Sequence, residues 1–395
     1  MRVFGTGMFA AHFFPLLISI GCLFALFRFG KTFFNAQTGA LAVLLFGTRA
    51  IFIAQSSQLL PETLVTLFTI LALHSWLKNK KWIYVLWASL LVLTKESGLV
   101  LPAALCLWEL ISFIRYRQIS IPGLIKTHFH TALPFVAALL FFIVQRIQMG
   151  WFFFPRHIGF ISLDREVILN KLTTCMGAQL FIFMGGIFTS IVVVIATLIF
   201  FIRKMSLSSV HRRFIGVMLL FMICFIAFSS LNYYCPRYIL CLYPFWFVIA
   251  AFIFLEALKG IPKFIPATIL VIIAIIQCWY TFNFKTNTDD NLGYVDVVKT
   301  QKEAIQWCVK NGYRDKDIFT LHQMERAMMS DAGGFVEADE IFSSVSNQAT
   351  PHTSLFIFTC NERDPTEDEV RKLPLKTIIK FQSGKAWTEI CTLEK

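Results

Sequence analysis

The sequence predicts a polytopic α-helical membrane protein of about ten spans, followed by a small extracytoplasmic α/β domain. Three observations carry that expectation. The 395-residue chain is 56% hydrophobic and only 15% charged, with a mean hydropathy of +0.65, whereas a soluble chain is about 45–50% apolar and about 25% charged. Apolar runs of span length recur as far as residue 283 and then stop. The charge is uneven: residues 1–283 hold 22 Lys/Arg against six acids, a net +16, while residues 284–395 hold 14 Lys/Arg against 18 acids, a net −4. These values exclude an ordinary cytosolic enzyme. Disorder is excluded as well, because 43 Phe and 9 Trp are far more apolar surface than a disordered chain carries. The overall +12 does not indicate a nucleic-acid partner, since the bases sit between apolar runs and not on a soluble basic face.

A helix that crosses a bilayer needs about 20 mostly apolar residues at about 1.5 Å rise each. Such runs lie near residues 8–27, 37–54, 63–77, 82–94, 97–114, 131–148, 178–202, 214–231, 236–256 and 264–283. Bases collect in alternate gaps. Arg28 and Lys31 follow the first run, and Lys78, Lys80 and Lys81 the third. Arg115, Arg117 and Lys126 follow the fifth, Arg203, Lys204, Arg212 and Arg213 the seventh, and Lys259 and Lys263 the ninth. Cytoplasmic loops accumulate Lys and Arg, so these gaps are expected inside. The other gaps are expected outside, with everything after Phe282. This assignment leaves the N-terminus outside with nothing before it to place it there. A further helix upstream of Met1 is therefore expected; a first run that inserts N-out unaided is the alternative.

The tail reads as a water-soluble unit. Residues 294–311 have a helical pattern, and Asp317–His322 and Ser354–Cys360 read as strands. Thr366–Leu373 reads as a short helix opened by a Thr N-cap, with acids in its first turn. Leu375–Gln382 and Ala386–Leu393 read as a hairpin around Ser383-Gly384-Lys385. Ten Cys form no CxxC pair and no Cys/His ligand spacing, and those in the apolar part serve as small hydrophobes. No metal site and no cofactor are expected.

Ionisable side chains at membrane depth are costly and so are functional candidates. The outward gaps contain Gln55-Ser56-Ser57-Gln58-Leu59-Leu60-Pro61-Glu62, Thr94-Lys95-Glu96-Ser97-Gly98, Phe154-Pro155-Arg156-His157, Asp164-Arg165-Glu166 and Asn232-Tyr233-Tyr234-Cys235-Pro236-Arg237-Tyr238. They put carboxylates and cations on one face of the bilayer. That mixture suits a reaction on a polyprenyl phosphate. Cations hold the phosphate and stabilise a growing leaving-group charge, a carboxylate takes the proton of an attacking hydroxyl, and apolar walls hold the lipid. Plainer roles stand beside these. Lys95-Glu96 can be a helix-end pair or a snorkelling lysine. Glu62 after Pro61 is a good helix start. Arg237 beside Pro236 can anchor a span at the headgroups, and His157 can be an inert loop histidine. His128 and His130, on the cytoplasmic side, receive no role.

The stretch FIAQSSQLLPETLVTLFTILALHSWLKNKKWIYVLWASLLVLTKESGLVLP resembles the second quarter of the protein-mannosyltransferase-like GT-C glycosyltransferases, which include the bacterial aminoarabinose transferases of lipid A. A Pro-acid pair opens a helix, a basic turn follows, and then a T-K-E/G-x-x-x-L-x-P segment. CPRYILCLYPFWFVIAA is similar to their late R-Y-x-x-x-x-x-P span. The resemblance covers roughly residues 10–260. It implies a transmembrane glycosyltransferase domain over 1–283 and a soluble extracytoplasmic domain over 284–395, in the bacterial inner (plasma) membrane. It implies an inverting transfer from a polyprenyl-phosphate sugar donor to a lipid, glycan or protein acceptor on the outer face, where no nucleotide sugar is available. By this resemblance Lys95 and Arg237 contact the donor phosphate. Glu62 and Glu96 line the cavity, Tyr238 belongs to it, and Arg156 and His157 lie on a loop that closes over it.

One departure matters. The family's principal acid lies in the first outer loop, yet residues 1–7 read Met-Arg-Val-Phe-Gly-Thr-Gly, with no carboxylate. Either the true start lies upstream, or Glu62, Glu96 or Asp164 substitutes as the catalytic acid, or the chain is an inactive truncated homologue. A lipid-linked sugar flippase or transporter, a polysaccharide polymerase or ligase, and a non-catalytic membrane subunit are the other readings. No internal repeat supports the transporter.

Overall fold

The computed structural model describes residues 8–116, 121–153, 161–183, 185–262, 264–361 and 365–394. The chain divides into two compact units, Phe14–Tyr280, and Thr281–Lys395 with the N-terminal stretch up to Phe13. Arg117, Arg156, His157 and Lys263 lie outside the described residues.

The first unit is helical. Its elements are α1 (Met8–Phe33), α2 (Ala36–Gly47), α3 (Ala50–Gln55), α4 (Pro61–Leu77), α5 (Lys81–Thr94), a 3₁₀ turn at Glu96–Leu99, α6 (Val100–Tyr116) and α7 (Ile121–Met149). There follow α8 (Arg165–Asn170), a π-helical stretch at Lys171–Gly177, α9 (Ala178–Phe181), α10 (Gly186–Ile202) and α11 (Ser209–Leu231). A second 3₁₀ segment (Pro236–Leu242), α12 (Tyr243–Ala257) and α13 (Phe264–Asn283) complete it. Local chemistry sets several starts. Asn35 accepts a hydrogen bond from the Thr38 N–H at 2.7 Å, Pro61 occupies the first turn of α4 with Glu62 beside it, and Ser208 caps α11 through the His211 N–H.

Six described helices are long and apolar enough to cross a membrane: His12–Phe33, Glu96–Arg115, His128–Met149, Ser209–Leu231, Pro236–Ala257 and Phe264–Asn283. Arg165–Phe181 and Gly186–Ile202 meet at 87° and amount to one further span at most. The apolar runs predict about ten, and the difference has physical causes. The second apolar run is broken. The Thr48 hydroxyl bonds back to the Leu44 carbonyl at 2.9 Å, and Arg49 turns extended at φ −74° and ψ 131°. That turn sends Arg49 inward, where it is 1% exposed. Its Nη2 donates to the Gln179 carbonyl at 3.0 Å, and its guanidinium lies 5.1 Å from the Tyr243 ring centre. The next two runs fold as α4 and α5, of 17 and 14 residues, at and below the lower end of span length.

Membrane exposure accounts for the surface. Leu139, Leu140, Ile143, Val144 and Ile147 of α7 are all exposed, an arrangement stable in hydrocarbon and not in water. By contrast, 78% of the most apolar window of Pro236–Ala257 is buried within the protein, the highest share among the six. Phe245 of this helix meets Phe29 and Phe221 edge-on, at 5.6 and 5.7 Å between ring centres. Such pairs add about 0.5–1.5 kcal/mol each beyond area burial. A polar knot ties four helices together. Glu109 of α6 accepts from Thr131 Oγ1 at 2.8 Å and Trp76 Nε1 at 3.3 Å, and lies 2.8 Å from His128 Nδ1. Tyr84 of α5 donates to the Thr131 carbonyl at 3.0 Å. The chain is an integral membrane protein.

The second unit is α/β: β1 (Ile318–Phe319), β2 (Val345–Ser346), β3 (Leu355–Thr359), β4 (Leu375–Ser383) and β5 (Ala386–Leu393), with α14 (Tyr294–Lys310), α15 (His322–Met328) and α16 (Pro365–Val370). The sheet order is β2-β1-β3-β5-β4. β1 runs parallel to β2 and β3, and β5 is antiparallel to β3 and β4. The expected hairpin, central strand and long helix are present. The expected strand Asp317–His322 shrinks to two residues because His322 opens a helix instead. The short helix begins at Pro365, so Thr366 lies inside it. Ala304, Ile305 and Cys308 of α14 pack with Ile357 and Ile390 of the sheet.

α1 and α2 cross at two glycines: a Cβ on Gly30 would lie 2.5 Å from the Gly39 Cα. Gly30→Ala is expected to lower thermal stability in detergent by about 1–3 kcal/mol through overpacking. Gly47→Ala, whose Cβ would meet Leu23 at an ordinary 3.7 Å, serves as the neutral control in the same melt.

Candidate functional site

Three segments distant in sequence converge on one carboxylate. Glu62 stands in the first turn of α4 and is 4% exposed. Its Oε1 accepts from Lys95 Nζ at 2.8 Å and from Arg237 Nε at 3.3 Å. Its Oε2 is buried and has no hydrogen-bond partner among the described residues. Lys95 Nζ also lies 3.4 Å from the centre of the Tyr238 ring, and the Arg237 guanidinium lies 5.5 Å from it. The ring shields one side of the ammonium and leaves donors on the other, since an ammonium has three and Glu62 takes one.

Each member is held by its local backbone. Pro61 suits the first helical position, and an acid beside it faces the positive end of the helix dipole. Lys95 is extended (φ −161°, ψ 144°) between the end of α5 and the 3₁₀ turn. The Gly98 N–H bonds the Lys95 carbonyl at 2.8 Å. Gly98 is required there, because a Cβ would come 2.6 Å from the Leu91 carbonyl oxygen. Arg237 follows Pro236 at the start of the second 3₁₀ segment. Ile239, Leu240, Cys241 and Leu242 after it are 0–1% exposed, so this segment is anchored in the core. Beside it, burial pushes the Cys235 thiol up from its ordinary range, and Arg237 partly opposes that shift.

Of the residues singled out in the sequence, Glu62, Lys95, Arg237 and Tyr238 come together. Glu96 is exposed and makes no ion pair among the described residues. Lys95 is therefore paired with Glu62 of another helix and not with its own neighbour. Asp164 is exposed and caps α8, accepting from the Glu166 and Val167 N–H groups at 2.7 and 3.3 Å. Arg156 and His157 lie outside the described residues. No group of three or more His, Cys, Asp or Glu able to hold a metal occurs among the described residues. Arg49 and the Glu109–His128 pair were not singled out. The one charge in an otherwise apolar run was the available signal for Arg49.

If Gly98 serves to hold Lys95 on Glu62, Gly98→Ala and Glu62→Gln will be coupled. The double variant is then expected to lose about 0.5–3 kcal/mol less than the sum of the singles. Additive losses in thermal melts would separate the turn from the ion pair.

No protein-family model matches the sequence. A comparison with curated proteins finds no match. Solved structures do match. The crystal structure of ArnT from Cupriavidus metallidurans in the apo state superposes with a TM-score of 0.56 at 10% identity, covering 98% of this chain and 85% of that one. ArnT from the same organism bound to undecaprenyl phosphate gives a TM-score of 0.53 at 11% identity, with the same coverage. The likeness is one of architecture: this chain has an ArnT-like, GT-C-type fold.

Proposed function

We propose that this chain is a GT-C-type glycosyltransferase. It transfers a sugar from a polyprenyl-phosphate-linked donor to an acceptor at the outer face of the inner membrane, inverting the anomeric configuration. The observation that carries the reading is the Glu62–Lys95–Arg237 cluster, two cations converging on one buried carboxylate beside an aromatic ring. Its setting in an ArnT-like fold supports the reading, as does the undecaprenyl phosphate bound to one ArnT structure.

The chemistry follows from the donor. An acceptor oxygen or nitrogen attacks the anomeric carbon in line, the bond from that carbon to the phosphate oxygen breaks, and the electron pair leaves with the polyprenyl phosphate. Lys95 and Arg237 hold the phosphate and stabilise the charge that grows on it. The acceptor's proton passes to a carboxylate. Glu62 Oε2 is the candidate with no hydrogen-bond partner among the described residues; Glu96 and Asp164 are the others. The Tyr238 ring flanks the two cations and completes the described part of the site.

Purified protein in liposomes is expected to consume an undecaprenyl-phosphate sugar and release undecaprenyl phosphate. Lys95→Ala and Arg237→Ala are each expected to lose about 10²–10³-fold in turnover while still inserting. A protein that moves the lipid across the bilayer without cleaving the sugar would overturn the transferase reading. The expected topology has its own check. Cysteines introduced into the tail should react with an impermeant reagent from the outer side, and labelling only from the cytoplasmic side would overturn the outer-face assignment.

A further inference from the structure

Glu62 sets the net charge of the site. We propose that this charge is matched to the phosphodiester of a lipid-linked sugar and not to the monophosphate left after transfer, which makes Glu62 a specificity-determining residue for release of the lipid product. The inference rests on the polyprenyl-phosphate reading above and deepens it.

The cluster holds one carboxylate and two cations in mutual contact, at 2.8 and 3.3 Å. Its formal charge is therefore +1. Glu62 is 4% exposed, so water screens its charge poorly. Only Oε1 is engaged by the cations, and Oε2 has no hydrogen-bond partner among the described residues. The described neighbours Tyr233, Cys235 and Glu96 leave that count as it stands. Burial pushes both Tyr233 and Cys235 up, away from ionisation at neutral pH, and Glu96 is exposed to screening solvent.

The two lipids differ in charge. A phosphodiester, the linkage in a polyprenyl-phosphate sugar, carries one negative charge and neutralises the cluster. A phosphate monoester carries about −1.5 to −2 at pH 7, so the spent lipid overshoots. The surplus charge lies against the Glu62 carboxylate, and like charges in a poorly screened site repel strongly. Without Glu62 the two cations would favour the more highly charged product over the donor. The enzyme would then be held by its product, and product release limits many enzymes.

Undecaprenyl phosphate and its methyl diester share one tail and differ in one charge. Their affinities for the full chain in lipid nanodiscs give a ratio that tests the inference. The wild type is expected to bind the methyl diester more tightly than the monophosphate. In Glu62→Gln the ratio should move toward the monophosphate by about tenfold or more, each decade being about 1.4 kcal/mol. Lys95→Gln should move it the opposite way. Glu62→Asp retains the charge and should retain the wild-type ratio even where both affinities fall, which covers the case of a poorly folded Gln variant. If the Gln variant weakens for both lipids equally, or its ratio is unchanged, Glu62 only props up its neighbours and the inference fails alone. If the wild type binds neither lipid, the polyprenyl-phosphate reading fails and takes the inference with it.

Discussion

An ionised carboxylate buried in an apolar helical unit must be compensated, and the way Glu62 is compensated organises the whole site. Removing a charge from water costs several kcal/mol or more unless partners replace the lost hydration. Here the partners lie 33 and 175 positions away in the chain. Three backbone arrangements must therefore be right at once: the helix opened by Pro61, the turn closed over Gly98, and the buried 3₁₀ segment that follows Pro236. The last of these continues into α12, where Tyr243 lies under Arg49 and donates to the Gln179 carbonyl at 2.7 Å. The buried Arg49 thus pins the helix that continues the segment carrying Arg237. Close packing leaves no slack in that arrangement, since a Cβ on Gly186 would sit 2.7 Å from the Arg49 Nη2.

Much of this was legible in the sequence, in a particular way. Pro61-Glu62 announces a helix start by its residue types alone, and the structure makes it both a helix start and the centre of the charged cluster. Lys95 was legible as a cation at a helix end, but its partner was not. Glu96 is adjacent in the chain, yet the extended backbone at Lys95 turns its ammonium toward α4. Such a pairing is a tertiary fact with no local signature. Asp164 followed by Arg-Glu-Val carries an N-cap pattern, and capping is the work the structure gives it. The broken second run was hidden because hydropathy averages over Arg49, while helix continuity does not. In the tail the hairpin was legible from its alternation and its Ser-Gly-Lys turn. The two-residue strands β1 and β2 were not, because so short a segment has no period to read.

Three buried or nearly buried charges inside the helical unit share one habit. Glu109, Arg49 and Glu62 each draw their partners from helices other than their own. In a bilayer such contacts do what apolar burial does in water, since lipid tails compete well for Leu and Ile but offer nothing to a carboxylate or guanidinium. A positive excess at loops is the general signal for direction across a membrane, whereas here the few buried charges set which helix lies beside which. Six acids before residue 284 suffice because only a few must be buried.

The tail's sheet ends on β4, a nine-residue strand at the edge of the order β2-β1-β3-β5-β4. A long exposed edge is a template on which another chain can add. This one carries Lys376 and Lys380 on its exposed positions, and its pairing with β5 slips between Thr377 and Ile379. Proteins confined to a membrane meet each other in two dimensions, at local concentrations that a dissolved protein rarely reaches. A cationic, irregular edge is the kind that disfavours strand addition between the tails of neighbouring copies under that crowding.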